Sequence, residues 1–309
     1  MTLAHVWGVV PTGITAAMVA VEVDVAQGLP SVGVIGLAQA SVAESRWRAR
    51  SAIVNSGLAW PNARITIGLS PADVPKSGTS LDLPIAIGLL LATGQVAPLQ
   101  EPAAFLGELG LDGAIRPVSG ALACAIAALR AGIRRVYVSA GNAREVAAVP
   151  GLEPTVIQDI AQAVRVLTAI EAPTPHLPDD QQSASANELG DLVDVRGHAM
   201  TRLALEVAAA GGHHCAMVGP PGVGKTMLAQ RFTTLLPDLD DEIALDVTSI
   251  HALSGALGAG HALVRRPPFV APHHSISAAA MLGSVRQGLL VPGALTLAHG
   301  GVLFLDKAA

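Results

Sequence analysis

Aromatic residues are scarce in this chain of 309 residues, because Phe, Trp and Tyr together make up only 3% of it. Charged residues reach only 14%, whereas 51% of the sequence is apolar. Cores built from Ala, Val, Leu and Ile are therefore expected, and the length predicts two domains. The net charge of −5 argues against a globally basic nucleic-acid binder, although it is compatible with a local basic patch.

Cysteines and long apolar runs are also lacking. Cys124 and Cys215 are too few for a disulfide framework or a four-cysteine zinc site. The most apolar run, residues 83–92, is too short to span a bilayer and contains Pro84. Residues 1–13 carry no basic segment and do not resemble a signal peptide. These features predict a soluble cytoplasmic protein with reduced thiols and no membrane partner.

A proline-containing polar stretch at residues 171–188, without any Lys or Arg, interrupts the sequence. Its apolar surface is too small to offset the entropy lost on ordering, so we expect a flexible linker. The predicted domains are then residues 1–170 and 189–309. Strand and helix patterns alternate along the first domain, which favours an α/β or α+β fold.

The predicted elements of the first domain follow from apolar periodicity. Glu22 and Asp24 fall on one face of the first predicted strand, which suits a half-buried strand. The predicted strands cover residues 18–25, 31–37, 64–69, 104–109 and 134–139. The predicted helices cover residues 41–55, 81–92 and 120–131. In the second domain a helix is predicted at residues 198–210.

The stretch GPPGVGKT matches the phosphate-binding pattern G-x-x-x-x-G-K-[ST] in full. A predicted strand at residues 215–218 precedes it and a predicted helix at residues 227–235 follows it, as this motif requires. The glycines let the backbone turn N–H groups toward phosphate oxygens, and the helix N-terminus adds partial positive charge. The predicted nucleotide-binding residues are Gly219, Pro220, Pro221, Gly222, Val223, Gly224, Lys225 and Thr226.

Two residues of this loop have distinct expected roles in binding ATP and Mg²⁺, the predicted cofactors. Lys225 is expected to reach the β and γ phosphates, and the Thr226 hydroxyl to bind the metal. Near its end the chain has another predicted apolar strand, residues 302–305, followed by Asp306. If that strand joins the same parallel sheet, Asp306 lies near the phosphates and completes the magnesium site.

Beyond this motif, several segments resemble the ComM/YifB family of magnesium-chelatase-like AAA+ ATPases. They are GPPGVGKTMLAQR, RRPPFVAPHHSISAAAMLG at residues 265–283, PGALTLAHGGVLFLD at residues 292–306, and, in the first domain, residues 71–90 and 107–133. The resemblance implies a Lon-protease or ribosomal-S5-domain-2-like α+β domain followed by a P-loop AAA+ α/β domain. It further implies a homohexamer that hydrolyses ATP to remodel single-stranded or branched DNA, including branch migration in natural transformation.

The chain departs from this family pattern at three points. Lys307 stands where members carry the glutamate that polarises the attacking water, and a lysine cation is no base at neutral pH. Ala294 stands at the position of an acid. The family's further C-terminal part, with its sensor residues, arginine finger, helical lid and one central strand, is missing. We therefore expect a truncated AAA+ domain with impaired hydrolysis and with unpaired edges on the two strands beside the missing one.

The first domain leaves a peptidase alternative. Ser80 stands where Lon-type peptidases carry their nucleophile, but the positions open to the partner lysine are Leu122 and Cys124, and neither is a base. We therefore expect an inactive scaffold or interaction domain, with Ser80 at a helix N-terminus and Asp82 in its first turn. For the whole chain, the alternatives are a nucleotide-gated interaction module and a metal-chelatase-type motor subunit.

Two groups of arginines have more than one interpretation. The group in the second domain consists of Arg265, Arg266 and Arg286. These side chains either neutralise DNA phosphates or are solvated surface residues. The group on the helix at residues 41–55 consists of Arg46, Arg48 and Arg50, beside Trp47. These residues form either an exposed helix face or a subunit contact, and the sequence does not decide between the two.

Overall fold

The computed structural model of the protein describes residues 2–36, 40–76, 78–175, 190–254, 263–286 and 289–306. The described residues divide into two compact units, the first formed by residues up to 175 and the second by residues from 190 onward. Among the helices in these ranges, none combines the length and the apolar character that a membrane crossing requires.

The first unit contains strands β1 to β10 and helices α1 to α5. The strands are Thr2–Thr12, Thr15–Ala26, Ser31–Ile35, Arg64–Ser70, Ala103–Leu106, Glu108–Leu109, Ile115–Arg116, Arg135–Val138, Glu153–Val156 and Thr174–Pro175. The helices are Ala40–Asn55, Asp82–Ala92, Ala121–Arg130, Ala140–Ala147 and Ile160–Leu167. Eight strands form one mixed sheet in the order β10-β9-β8-β5-β1-β2-β4-β3, and β6 pairs with β7.

The sheet is built around the β1–β2 hairpin. These strands pair antiparallel from Thr2 opposite Val25 to Thr12 opposite Thr15. Gly13 in the two-residue turn has a φ of 74°, the left-handed conformation that such turns favour. On its other side β1 pairs in parallel with β5, and β5 pairs in parallel with β8. Parallel neighbours require crossover connections, which explains why helices alternate with these strands.

Helices cover the sheet on both faces. Val6 and Val10 of β1 are buried in a core shared with α1, α2 and α5. Side chains alternate along a strand, so Val9 and Pro11 point to the opposite face. There α3 packs, and a Cβ added to Gly120 would lie 3.1 Å from Pro11. The mixed α/β fold predicted for this domain is confirmed.

The main differences from the predicted elements lie at the two ends of the unit. Strand β1 was not predicted, and neither were α4, β9 and α5. Thr174 and Pro175, within the predicted linker, form β10 and pair with Val156 and Thr155 of β9. The start of the predicted linker therefore belongs to the sheet, whereas residues 176–188 lie outside the described ranges.

The second unit contains short 3₁₀ turns, helices α6 to α10 and strands β11 to β14. The 3₁₀ turns are Leu192–Asp194 and Thr233–Leu235. The helices are Ala199–Gly211, Lys225–Phe232, Asp241–Leu253, Ala278–Leu282 and Ala294–Leu297. The strands are Phe269–Val270, Gly283–Arg286, Leu289–Pro292 and Val302–Leu303. β11 pairs in parallel with β14, and β12 pairs antiparallel with β13.

The predicted strand at residues 215–218 is not formed, which corrects the sequence analysis. These residues have no regular structure, and Val218 is 99% exposed. A strand needs a neighbour that takes up its N–H and C=O groups, and within the described ranges none pairs with this segment. β14 is also shorter than predicted, and its partner is β11, so the sheet expected to join the phosphate loop to Asp306 is not observed.

A buried ion pair ties α1 to α2 in the first unit. The fully buried carboxylate of Asp82, the first residue of α2, accepts hydrogen bonds from Arg48 Nε at 2.7 Å and Nη2 at 2.9 Å. It also accepts one from the Leu109 N–H in β6 at 3.3 Å. Arg48 thus neutralises a charge that lies beside an otherwise apolar helix, and the side chain of Asp82 connects three elements.

We expect Arg48→Met to destabilise the first unit, because it leaves the Asp82 carboxylate buried without its cation. The free energy of unfolding should fall by about 2–4 kcal/mol, somewhat less than for a fully enclosed pair because the Arg48 side chain is 21% exposed. Urea unfolding followed by tryptophan fluorescence measures this directly, because all three tryptophans lie in this unit.

Arg134→Met, at an exposed position directly before β8, is the control and should change stability by less than about 0.5 kcal/mol. The double variant Arg48→Met/Asp82→Leu should recover most of the loss, since it removes both charges. A double variant as unstable as Arg48→Met would contradict the assignment.

Candidate nucleotide-binding site

The loop at residues 219–226 turns at two glycines in the left-handed backbone conformation. Gly222 and Gly224 have φ values of 84° and 83°, in the region that side chains other than glycine disfavour. Gly224 is the N-cap of α7, and no side chain caps this helix end. The N–H groups of the first helical turn have no partner within the helix, so they can bind an anion.

Lys225 is folded back onto its own loop. Its Nζ donates to the carbonyl oxygen of Gly219 at 2.8 Å and to that of Pro220 at 3.0 Å. The ammonium group therefore lies at the concave side of the loop, where phosphate oxygens could replace the carbonyl groups as acceptors. Thr226, next along α7, is exposed and has its hydroxyl available for a metal ion.

Helix α7, which follows the phosphate loop, is anchored by two of its own side chains, Leu228 and Arg231. Leu228 is buried in a small core with Leu192 and Leu205. Arg231, one turn further along α7, donates from Nε to the Asp191 carbonyl oxygen at 3.2 Å. Asp191 is itself fixed by a capping box, because its carboxylate accepts from the Val193 N–H at 2.9 Å. The phosphate loop is thus held through its helix rather than through a preceding strand.

Asp306 lies three residues beyond β14, and within the described ranges no sheet joins it to the phosphate loop. Its side chain is exposed, and among the described residues no hydrogen bond or ion pair joins it to Thr226 or Lys225. No group of three or more His, Cys, Asp or Glu residues in the described ranges is arranged to hold a metal ion. A Mg²⁺ ion here would therefore need phosphate and water ligands in addition to the protein, as is usual for this metal. Lys307 lies outside the described ranges.

The peptidase candidates of the first unit are inaccessible. Ser80 is only 4% exposed, and its Oγ has no hydrogen-bond partner within the described ranges. Leu122 and Cys124, the positions considered for a base, are buried in α3. Burial raises the pKa of the Cys124 thiol to about 12. Nucleophilic catalysis needs an accessible nucleophile and a base, whereas Ser80 is buried and neither of the two positions considered for the base carries one.

Sequence reasoning missed two buried charges in this unit. Lys76 is buried, donates from Nζ to the Pro71 carbonyl oxygen, and has a pKa below its usual value because of desolvation. The second is Asp82, which pairs with Arg48 as described above. The sequence contained a signal for this pair, because an acid directly before the apolar run at residues 83–92 needs a partner when the helix is buried.

Comparison with known proteins adds to this geometry. A family model described as "Magnesium chelatase, subunit ChlI" matches residues 191–309, and one described as "Subunit ChlI of Mg-chelatase" matches residues 21–142. YifB of Escherichia coli K12 is 43% identical over 99% of this chain and 60% of its own length. The competence protein ComM of Haemophilus influenzae is 37% identical over 99% of this chain and 60% of its own. The chain belongs to the magnesium-chelatase-like ComM/YifB family.

Other relatives extend this placement. An uncharacterized protein of Mycobacterium tuberculosis H37Rv is 43% identical over all of this ComM/YifB family member and 61% of its own length. Lon protease 2 of Sorangium cellulosum is 33% identical over 41% of this chain and 15% of its own. With the α/β sheet described above, these matches confirm the predicted class of a Lon-like domain followed by an AAA+ domain. The chain spans about 60% of the length of YifB and ComM.

We expect iodoacetamide to alkylate only Cys215 in the native protein. Cys215 is exposed, whereas Cys124 is buried and at pH 8 would be a thiolate in about one molecule in 10,000, given its pKa of about 12. Intact-mass measurement should show one added group before unfolding and two after unfolding in urea. The Cys215→Ser variant should gain none in the native state, and rapid labelling of Cys124 in that variant would refute the burial of α3.

Proposed function

We propose that this chain binds MgATP in the loop at residues 219–226 and is part of an AAA+ ATP hydrolase. The observation that carries the proposal is the loop geometry, which combines two left-handed glycines, a helix N-terminus without a side-chain cap and the Lys225 ammonium bonded to carbonyl groups of the loop. Lys225 would exchange two carbonyl partners for β- and γ-phosphate oxygens. Thr226 and Asp306 would hold Mg²⁺, which when bound neutralises phosphate charge and orients the terminal phosphate.

The proposed parent activity is ATP-driven remodelling of single-stranded or branched DNA by a homohexamer in the cytoplasm. The similarity to the competence protein ComM of Haemophilus influenzae supports this class of substrate. Arg265 and Arg266 are exposed and could contact phosphates. Arg265 also pairs with Asp241 at 2.8 Å, so its charge is already partly neutralised. The side chain of Arg286 lies outside the described ranges.

We further propose that this chain hydrolyses ATP poorly. Attack on the γ-phosphate needs a group that orients and polarises water, and in this family that group is the glutamate after Asp306. Lys307 occupies this position and offers donors but no acceptor. A nucleotide-binding chain without turnover would act as a nucleotide-gated interaction module, and the absence of an accessible nucleophile at Ser80 favours that role for the first domain.

Lys225→Ala should weaken MgATP binding about 10- to 100-fold, because it removes hydrogen bonds from a cation to the phosphates. Isothermal titration of the full chain with a non-hydrolysable ATP analogue measures the effect. Thr226→Val, which keeps the side-chain volume, should reduce affinity only when Mg²⁺ is present. Unchanged affinity of Lys225→Ala, with or without Mg²⁺, would show that nucleotide does not bind at this loop.

Lys307→Glu should raise the steady-state ATPase rate, because it restores a carboxylate beside the metal. A coupled assay with and without single-stranded DNA tests this, and Lys307→Ala serves as the matched control that removes the charge without adding a base. An equal rise in both variants would mean that the lysine charge alone limits turnover. No rise in either variant would contradict the role assigned to this position.

A further inference from the structure

Strand β3 forms one end of the eight-stranded sheet and pairs in parallel with β4 along one side only. The Ser31 N–H donates to the Ala63 carbonyl oxygen at 3.3 Å, so the backbone groups of Ser31 point toward β4. Because backbone groups alternate between the two sides of a strand, Gly33 also faces β4, whereas Val32 and Val34 face away from it. Each of these valines therefore directs one N–H and one C=O group to the open side of β3.

Among the described residues, one of these four backbone groups has a partner, and that partner is Arg46 of α1. Arg46 donates from Nη1 to the Val32 carbonyl oxygen at 3.0 Å, and its guanidinium carbon lies 5.0 Å from the centre of the Trp47 ring. Its Nε is buried without a hydrogen-bond partner in the same ranges. Glu44, two positions earlier on α1, lies 3.7 Å from Arg48 instead. We call the open side of β3 together with Arg46 the β3 edge.

The β3 edge is protected only in part. Proteins commonly block a free strand edge with charged side chains, a proline or a covering element. Here Arg46 covers a single carbonyl group, and its own buried Nε remains unsatisfied, which is rare in folded proteins. Exposed apolar side chains lie at both ends of the strand, since Leu29 just before β3 is 89% exposed and Ile35 at its end is 60% exposed. The β3 edge therefore combines backbone, cationic and apolar groups that a partner could contact.

These groups define the chemistry of a partner. A further β-strand, about 4.8 Å beyond β3, supplies acceptors for the outward N–H groups and donors for the outward C=O groups. A nucleic-acid backbone supplies phosphate acceptors but no regular row of donors, so it does not match this edge. A carboxylate on the α1 side of the added strand would accept from Arg46, since two neighbouring guanidinium N–H groups suit a carboxylate. The matching partner is an extended acidic segment of about five to seven residues.

We propose that an extended acidic segment of another protein docks on the β3 edge as an additional strand and that Arg46 binds its carboxylate. The added strand takes over the Val32 carbonyl oxygen, and the released Nη1 joins Nε in binding the carboxylate. A second copy of this chain fits poorly, because antiparallel pairing of two β3 edges about a two-fold axis places both Arg46 cations on the same face of the sheet. The proposal specifies a partner for the interaction role proposed for the first domain, and it requires no nucleotide.

Amide hydrogen exchange of the full chain, followed by NMR, tests the openness of the β3 edge without any ligand. The outward Val32 and Val34 N–H groups should exchange at least about tenfold faster than the Gly33 N–H, which is bonded within the sheet. Equal protection of all three amides would show that the edge is already covered and would overturn the proposal.

A synthetic peptide then tests docking. The probe is the fluorescein-labelled peptide TVTDTVT, which reads the same in both directions and so serves for parallel and antiparallel addition. In fluorescence anisotropy without nucleotide it should bind saturably, with a Kd below about 1 mM. Bound peptide should also slow the exchange of the Val32 and Val34 amides. The absence of saturable binding up to about 1 mM would mean that Arg46 only blocks the edge, contrary to the proposal.

A charge exchange provides the decisive measurement. Arg46→Glu should bind TVTDTVT at least about tenfold more weakly than the unchanged protein and should instead prefer TVTKTVT, in which lysine replaces the aspartate. Arg134→Glu, the same reversal at an exposed position directly before β8, should bind TVTDTVT like the unchanged protein. An Arg46→Glu variant with an unchanged preference for the acidic peptide would contradict the assignment of Arg46.

A backbone variant tests the strand pairing separately from the charge. Val34→Pro removes an outward N–H group while leaving the bonds between β3 and β4 in place, so it should weaken binding of TVTDTVT at least about tenfold. Val34→Ile, which keeps this N–H group, is the matched control and should bind like the unchanged protein. Circular dichroism of each variant excludes unfolding as the cause. Equal binding by Val34→Pro and Val34→Ile would show that the peptide does not add to β3.

Discussion

Backbone hydrogen-bonding groups must find partners, and this requirement explains how differently the two units are built. In the first unit the central strand β1 pairs along both edges, with β2 and β5, and neighbouring strands extend the sheet to eight. In the second unit the described strands pair only in twos. Residues 215–218 have an apolar sequence suited to a strand, yet they lie exposed because no described strand runs beside them. The phosphate loop therefore depends on α7, and α7 depends on Leu228 and Arg231.

The same accounting applies to the charged and polar side chains of the Lon-like domain. Asp82, at the N-terminus of α2, accepts hydrogen bonds from Arg48 of α1 and from the Leu109 N–H of β6. Just before Asp82 in the sequence, the Thr79 hydroxyl donates to the Glu108 carboxylate at 2.7 Å. These contacts join α1, α2 and β6 next to Ser80 in the sequence. Ser80 itself is buried, and its Oγ has no hydrogen-bond partner among the described residues.

Local patterns predicted those features whose cause is local. The phosphate loop is a contiguous motif, and β2 shows the alternation of a strand with one exposed face, with Glu22 and Asp24 on that face. β1 was not predicted, because its residues 8–10 are buried on both faces of the sheet and therefore lack the alternation of apolar and polar side chains that marks a half-buried strand. The bond between Arg48 and Asp82 spans 34 positions and follows only from the packing of two helices. Strand order is likewise set by tertiary packing, so the order of the eight-stranded sheet could not be predicted.

The hydrogen bonds of Lys225 determine which ligands the loop can accept. Binding must first release the ammonium from the carbonyl oxygens of Gly219 and Pro220, and each bond from a charged donor contributes about 1.5–3 kcal/mol. A single phosphate at the helix N-terminus could interact with the free N–H groups without reaching Nζ, and so would leave those bonds intact. In the proposed function, a ligand whose second and third phosphates extend along the loop would replace both carbonyl partners and add the N–H contacts. The folded lysine would thereby favour triphosphates over monophosphates before any metal is bound.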